Sequence, residues 1–314
     1  MLATQDSHIR LAAGKLREAC CEWDGRMPTT LPPYGAGWAA SMACLLEASA
    51  PKPGNVHPAA GFPDLTHDDL VAAALAIGPI LEQAADMPLG WVILEAVRQS
   101  RRVTRSNANL GMILAIAPLA AVAPDGWPTG AEDDTVASLS VAVAAVLGSL
   151  DAADTAAIWK AIGEAGPGGM GTTARHDLAG PPPGSILDAM QLAAGHDSIA
   201  ALWTRGYASV LGGLIVDLSI ALSRVVDWRE AVVDAFLRQL ARAPDSLILR
   251  RHGSRIAVEV SGRAAAVIAT IPPDRREAVA AFDRSLRDPV RINPGTTADL
   301  VAAALYILLR SQSP

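Results

Sequence analysis

The chain has 314 residues and a formal net charge of −6; 51% of the residues are hydrophobic and only 4% are aromatic. Nucleic-acid binding needs a clustered excess of Lys and Arg, so the charge argues against a nucleic-acid partner. The three cysteines have neither a disulfide framework nor zinc-ligand spacing, which is typical of a cytoplasmic protein.

Helical segments separated by Gly and Pro follow one another from Trp38 onwards, and alanine, the strongest helix former, is frequent throughout. We predict helices at Trp38–Ala50, Thr66–Ala85, Trp91–Ser106, Leu110–Val122 (kinked or split at Pro118), Val136–Leu150, Thr155–Glu164, Ile186–Ala194, Ile199–Val226, Arg229–Ala243, Ser254–Ala269, Arg275–Arg287 and Thr296–Leu309. Short apolar runs such as Ile256–Val260 could instead be strands. The pattern predicts an all-α fold: a single multi-helix globular domain over residues 36–314 with active-site loops between helices, after a partly irregular N-terminal arm over residues 1–35.

The most apolar stretches are Met112–Ala123 and Val136–Leu150, and both are shorter than the ~20 residues of a bilayer span. A third stretch, Val210–Leu222, contains Asp217. The N-terminal segment lacks the apolar core of a signal peptide. We therefore expect buried core helices, no membrane association and a cytoplasmic location.

Four polar segments that contain glycine interrupt the helices. The first, residues 47–57, contains Glu47, Lys52, Gly54, Asn55 and His57 together with two prolines. Prolines fix such a loop, glycine lets a ligand approach the backbone, and a lysine suits a phosphate. A rigid Pro-Gly turn with a solvated lysine is the alternative.

The second segment, residues 106–111, stands at the start of the most apolar helix. Its two asparagines, Asn107 and Asn109, could hydrogen-bond a ribose or a base edge. Helix capping is the alternative interpretation, because asparagine is a preferred N-cap residue.

The third segment, residues 166–177, contains the spacing G-x-G-x-x-G. That motif indicates a dinucleotide fold only between a strand and a helix, and here a predicted helix precedes it and a proline-rich loop follows. What remains is a loop that carries Arg175, His176 and Asp177. A mobile surface loop without function is the alternative.

The fourth segment, residues 293–300, places Thr296 and Asp299 at the spacing of an acidic capping box. Because a helix N-terminus attracts anions, Thr296 and Thr297 could bind phosphate, and Asp299 could bind a phosphate-bound Mg²⁺. A structural cap is the alternative. The run Arg250–His252 is a weaker phosphate candidate, since such clusters commonly form a solvated helix end.

In order along the chain, these segments resemble the triphosphoribosyl-dephospho-CoA synthase family. The matching text is EASAPKPGNVH (47–57), SNANLGMILAIAP (106–118), residues 168–177, SLILRRHG (246–253) and NPGTTADLV (293–301). The second segment differs from the Thr-His-Lys-Gly of the citrate-lyase type and is more similar to the archaeal and methylotroph branch.

The resemblance implies an α-helical enzyme that uses Mg²⁺, transfers the triphosphoribosyl group of ATP to 3′-dephospho-CoA and releases adenine. We expect catalytic roles for Glu47, His57, His176 and Asp177, substrate binding by Lys52, Gly54, Asn55, Asn107, Asn109, Arg175, Thr296 and Thr297, and Mg²⁺ ligation by Asp299 and Glu47. The alternatives are transfer to a different acceptor in C1-cofactor biosynthesis and a non-catalytic nucleotide-binding helical protein. A helix face of such a domain could also pair two chains as a homodimer.

Overall fold

The computed structural model describes residues 11–12, 14–16, 35–127, 135–166, 180–225, 227–271 and 274–311. The helices are α1 (Ala36–Ser49), α2 (His67–Leu81), α3 (Leu89–Val103), α4 (Leu110–Ala120), α5 (Thr135–Gly148), α6 (Ala152–Ala165), α7 (Ile186–Ala193), α8 (Ser198–Arg205), α9 (Tyr207–Arg224), α10 (Trp228–Arg242), α11 (Ser246–His252), α12 (Ser254–Ala269), α13 (Arg275–Arg287) and α14 (Gly295–Arg310). Within these residues, β-structure is limited to two isolated bridges in the loop after α1. The all-α prediction is confirmed.

One predicted helix needs correction, one strand alternative is excluded, and Pro118 does not split its helix. The predicted helix Ile199–Val226 is two helices, because Gly206 adopts a φ of 88°, in the left-handed region that favours glycine. The run Ile256–Val260 lies inside α12 and is not a strand. Pro118 stands inside α4, which continues past it and ends at Ala120.

The core is built around two helices, α4 and α14, that are buried on almost every side. In α14, every residue from Leu300 to Leu309 is at most 2% exposed. In α4, every residue from Ile113 to Leu119 is buried. Because both sequences are apolar all round, neither helix has a face for solvent, as expected of core helices. The other helices pack around this pair.

Small residues bring α1 very close to α2. A Cβ atom placed on Gly37 would lie 2.1 Å from the backbone oxygen of Gly78, so neither helix could approach as closely with a larger residue there. The Glu82 carboxylate, just after α2, accepts a hydrogen bond from the Gly37 backbone at 2.6 Å. This packing fixes α1, whose last turn carries Glu47.

The described part of the N-terminal segment is helical at residues 11–12 and 14–16. Leu16 is buried in the core, and the Lys15 ammonium donates to the carbonyls of Leu222 and Ser223 at 3.0 and 3.2 Å. These carbonyls end α9, where a cation is favoured by the helix dipole.

No single helix in the described ranges is both long and apolar enough to cross a bilayer. Two consecutive pairs, α5 with α6 and α8 with most of α9, reach that length and composition only when joined across bends of 101° and 107°.

Candidate functional site

A cleft of about 430 Å³ lies at the N-terminal ends of α4 and α14. Its size is within the range of small-molecule sites, which is roughly 300–1,000 Å³. The predicted site residues that line it are Glu47, Asn55, Asn107, Asn109, Thr296 and Asp299. The first, second and fourth polar segments therefore meet in one place, although they are far apart in the sequence, and Gly166, the first residue of the third segment, lines the same cleft.

Four carboxylates line the cleft: Asp64 and Asp197, which are paired with arginines, and two without an arginine partner in the described structure, Glu47 in the last turn of α1 and Asp299 in the second turn of α14. Burial, followed by the negative charges of Glu47 and Asp245, raises the pKa of Asp299 well above its ordinary value. Arg250 acts in the opposite direction. The position therefore favours either a bound proton or a bound cation on the Asp299 carboxylate.

Gly111 provides the space for the Asp299 carboxylate. A Cβ atom at Gly111 would lie 1.9 Å from Oδ2 of Asp299, a distance at which one of the two groups must move. The absence of a side chain at Gly111, in the second segment, therefore leaves room for the carboxylate of Asp299 in the fourth segment.

Lys52 does not line the cleft. Its side chain is 0% exposed and forms an ion pair with Glu47, Nζ to Oε1, at 2.9 Å. The same ammonium donates to the backbone carbonyls of Glu47 and Ala50. Burial raises the pKa of Glu47, while the Lys52 charge and hydrogen bond lower it.

The loop after α1 is anchored by two neighbouring segments of the chain. Gly54, with a φ of 76°, donates its backbone N–H to Asp283 of α13 at 2.8 Å. Asn55 donates its Nδ2 to Oδ1 of Asn293 at 2.6 Å, and its carbonyl accepts from Arg287. Asn55 is 5% exposed, and its Oδ1 has no hydrogen-bond partner among the described residues. A buried acceptor is therefore available at the wall of the cleft.

The two asparagines of the second segment have different roles. The Oδ1 of Asn107 accepts a hydrogen bond from the backbone N–H of Leu110, the first residue of α4, at 3.2 Å. Asn109 occupies the N-cap position but makes no capping bond with its side chain. Its Oδ1 accepts from Ser100 at 2.7 Å, while its Nδ2 has no partner within the described structure, although the residue is only 4% exposed.

The fourth segment is not a capping box. Helix α14 begins at Gly295, so Thr296 is already helical, and no side chain caps the helix start at Pro294. The backbone and hydroxyl of Thr297 donate to Oδ2 of Asp245 at 2.7 and 2.8 Å. Thr296 faces the cleft, whereas Thr297 faces Asp245 and does not line it.

Three arginines form the basic part of the cleft: Arg250, Arg251 and Arg291. Arg250 pairs with Asp197, and Arg291 pairs with Asp64. Burial and the positive charges of Arg291 and Arg250 lower the pKa of Arg251, whereas Asp64 raises it. Mutual repulsion of this kind marks a place where an anion is favoured.

The position of Arg250 and Arg251 follows from α11, a helix that the sequence did not predict. Asp245 caps this helix by accepting from the backbone of Leu247 and Ile248 at 2.9 and 3.0 Å. The run Arg250–His252, a weak candidate from sequence, therefore ends a short capped helix with two of its arginines at the cleft. Arg291 was missed because nothing in its local sequence distinguishes it.

The remaining predicted site residues are elsewhere or outside the described residues. His57 does not line the cleft; its Nδ1 accepts from the Ala59 backbone at 3.3 Å. Burial, followed by the charge of Arg287, lowers the pKa of His57. Arg175, His176 and Asp177 lie outside the described residues.

The donor set of the cleft is compatible with a magnesium ion that is held mainly by a substrate. Mg²⁺ commonly takes one or two carboxylates and completes its shell with water and phosphate oxygens. Glu47 and Asp299 supply two carboxylates, and no cluster of three or more His, Cys, Asp or Glu suited to a metal occurs in the described parts of the chain. A site formed entirely by protein ligands does not fit this geometry.

A sequence profile of the CitG family, described as ATP:dephospho-CoA triphosphoribosyl transferase, matches residues 34–313. Among solved structures, a protein from Archaeoglobus fulgidus with the provisional name triphosphoribosyl-dephospho-CoA synthase superposes with a TM-score of 0.57 at 22% sequence identity. The superposition covers 76% of this chain and 97% of that one, which shows a shared fold. No protein of curated function matches the sequence.

Proposed function

Because the chain belongs to the CitG family of ATP:dephospho-CoA triphosphoribosyl transferases and is a transferase, we propose that it moves the 5-triphosphoribosyl group of ATP onto a hydroxyl of 3′-dephospho-CoA and releases adenine. One observation carries the proposal. The same cleft is lined by the buried carboxylate of Glu47, the partly buried carboxylate of Asp299, two buried amides with unpartnered atoms and three arginines. The carboxylates suit the sugar carbon and the metal ion, the amides suit the nucleoside, and the arginines suit the triphosphate.

Breaking the bond between ribose and adenine places positive charge on the sugar carbon C1′, as in glycoside cleavage. In our proposal, the C1′–N bond to adenine breaks as a C1′–O bond to the acceptor hydroxyl forms, and Glu47 stabilises the charge and accepts the hydroxyl proton. Adenine leaves with one proton, so the proton taken up by Glu47 is balanced by the one gained by the base. Lys52 supports this role, because its ammonium at 2.9 Å favours the ionised form of the nearly buried Glu47 carboxylate.

Asp299 would hold a Mg²⁺ ion brought in with the triphosphate, while Glu47 stays paired with Lys52. The ion would neutralise phosphate charge beside the Asp299 carboxylate. Since a metal ligand must be deprotonated, Asp299 would give up its proton as the ion binds. Burial and nearby negative charges raise the pKa of Asp299, and a bound cation would offset both effects.

The triphosphate would bind at Arg250, Arg251 and Arg291. Arginine pairs well with phosphate oxygens because its planar guanidinium presents several donors at once. Arg251 suits this role best, because Arg250 and Arg291 are already paired with Asp197 and Asp64. The expected role of Lys52 as a phosphate ligand passes to these residues, since its ammonium is enclosed.

Asn55 and Asn109 would orient the nucleoside. Asn55 offers a buried acceptor and Asn109 a buried donor, and each lacks a partner among the described residues. An unpartnered buried polar group is unfavourable by about 1–3 kcal/mol, so a ligand that pairs with both recovers that free energy. Ribose hydroxyls and the adenine ring supply both donors and acceptors.

The direct test incubates the purified protein with Mg-ATP and 3′-dephospho-CoA, then separates the bases and nucleotides by chromatography. We expect free adenine in a one-to-one ratio with a new product that mass spectrometry identifies as the triphosphoribosyl adduct. Production of ADP or phosphate in place of adenine would contradict the proposal. Adenine release that requires another hydroxyl compound would retain the reaction and change the acceptor.

The arginine assignment has its own test. Arg251→Ala should raise the KM for ATP by about tenfold or more, the size expected for one lost charge-assisted contact of 1.5–3 kcal/mol. Arg276→Ala is the matched control, because that arginine is 90% exposed and pairs only at the surface with Glu230. Equal effects of the two variants would refute the assignment.

A further inference from the structure

The ammonium group of Lys52 is saturated by contacts within the protein. It has three N–H donors and no acceptor. Its three partners are Oε1 of Glu47 at 2.9 Å, the carbonyl of Ala50 at 3.2 Å and the carbonyl of Glu47. The side chain is 0% exposed and all three N–H groups already donate within the protein. No N–H is therefore left to donate to a phosphate oxygen.

The carbonyl partners show what Lys52 does to the helix. Glu47 lies in the last turn of α1, and Ala50 is the residue that ends it. Lys52 therefore folds back and supplies a cation at the C-terminus of α1, where the helix dipole favours one. The Lys52 ammonium therefore binds both the carbonyls at the end of α1 and the Glu47 carboxylate in its last turn.

The sequence around Lys52 makes this return possible. Pro51 and Pro53 flank the lysine, and neither can extend the helix. The Lys52 backbone N–H donates to Ala50 at 2.8 Å, and its carbonyl accepts from Asn55 at 3.1 Å. The loop is thus tied on both sides of the lysine, which limits where the side chain can point.

We propose that Lys52 is a positioning residue that fixes the last turn of α1 and directs the Glu47 carboxylate into the cleft without touching ATP. This inference rests on the proposed function for the role of Glu47. It replaces the phosphate-binding role that the sequence suggested for this lysine. Its physical basis is the enclosed ion pair, which depends on both partners.

A buried ion pair has a characteristic response to mutation. Removal of one partner leaves an uncompensated buried charge, whereas removal of both partners leaves none. Lys52→Met should therefore lower the melting temperature strongly. Adding Glu47→Gln to that variant should recover most of the loss. Lys160→Met is the control, because Lys160 is 59% exposed and pairs with Glu164 on the surface.

The catalytic readout separates positioning from phosphate binding. If Lys52 positions Glu47, Lys52→Met should lower the kcat for adenine release by about 10²-fold, the size expected when a reacting group is misplaced. The Kd for Mg-ATP, measured by titration calorimetry, should change by no more than about twofold, since no ligand contact is lost. The Lys160→Met control should change neither value.

Two results would overturn the proposal. One is a Kd for Mg-ATP weakened about tenfold or more by Lys52→Met, which would show a direct phosphate contact. The other is that the single variant Lys52→Met and the double variant with Glu47→Gln lose the same melting temperature, or both fail to fold. Because the melting and calorimetry arms require no turnover, they decide the role of Lys52 even if the native protein releases no adenine.

Discussion

Thr66 and Asp69 have the same spacing as Thr296 and Asp299, but only the first pair caps a helix. At the start of α2, Asp69 receives hydrogen bonds from the Thr66 backbone at 2.8 Å and hydroxyl at 2.6 Å, and the pair forms a complete capping box. These hydrogen bonds lower the pKa of Asp69. At the start of α14, Asp299 makes no such bond, and its pKa is raised well above the ordinary value.

The difference arises from what surrounds each pair. The Thr66 pair is at the surface, where a local hydrogen bond is the best one available. Around Asp299, Asp245 already binds Thr297, and Gly111 leaves a space that the Asp299 carboxylate fills. An acidic side chain at a helix start is thus a cap where solvent surrounds it and makes no capping bond where buried helices enclose it.

The largest expected effect comes from Asp299→Asn. If this carboxylate serves the reaction, adenine release should fall by about 10²–10⁴-fold, the range for loss of a catalytic proton-transfer or charge group. The melting temperature should not fall, because the change removes a carboxylate that burial and Glu47 disfavour. Asp69→Asn should leave turnover unchanged. Similar loss of turnover in both variants would remove the distinction between the two aspartates.

A second large effect is expected from Gly111→Ala. The added Cβ would lie 1.9 Å from Oδ2 of Asp299, so the carboxylate must move out of its position. Displacement of this size should lower adenine release by about 10²-fold. Gly163→Ala in α6 is the control, because its Cβ would meet nothing within 4 Å. Full turnover of the Gly111 variant would mean that the position of Asp299 does not matter.

A smaller effect on stability should follow from Thr297→Val. This change removes one donor from the buried carboxylate of Asp245, which still accepts from the backbone of Thr297, Leu247 and Ile248. We expect the free energy of unfolding to fall by about 1–3 kcal/mol, the penalty of an under-satisfied buried acceptor. Urea unfolding measures it. No loss of stability would indicate that Asp245 does not need the hydroxyl.

The smallest effect concerns pH at the surface pair. The folded-state pKa of Asp69 lies below the unfolded value near 3.9, so its contribution is present above that value and is lost as pH falls through the folded pKa. Thr66→Ala should lower stability by about 1 kcal/mol at pH 7. The part of this difference due to Asp69 should shrink progressively as pH falls below the unfolded value near 3.9, as followed by urea unfolding at several pH values. A difference that stays constant over that range would contradict the capping box.

Much of the fold could be predicted from sequence, because alanine-rich apolar patterns separated by Gly and Pro indicate helices directly. The break at Gly206 was missed, although an arginine followed by glycine, as at Arg205-Gly206, is a helix-stop signal. Helix α11 was also missed, because its cap, Asp245, precedes only seven helical residues. The family resemblance came from the polar segments, and the profile match over residues 34–313 confirms it.

The site was less predictable, because its geometry depends on contacts between distant residues. Arg291 pairs with Asp64 across 227 positions of the chain, and no local pattern marks either residue. Lys52 illustrates the opposite problem. Its Pro-Lys-Pro-Gly setting suggested a phosphate ligand, but the sequence could not show that three acceptors of the preceding turn already surround its ammonium.

One ATP molecule should occupy the cleft at the starts of α4 and α14. A crystal structure of the protein with Mg-ATP, in the absence of an acceptor, would show whether it does. We predict the ribose beside Glu47 and Asp299, the nucleoside within hydrogen-bonding distance of Asn55 and Asn109, and the triphosphate at Arg251. ATP bound at any other surface, with these side chains untouched, would contradict the account.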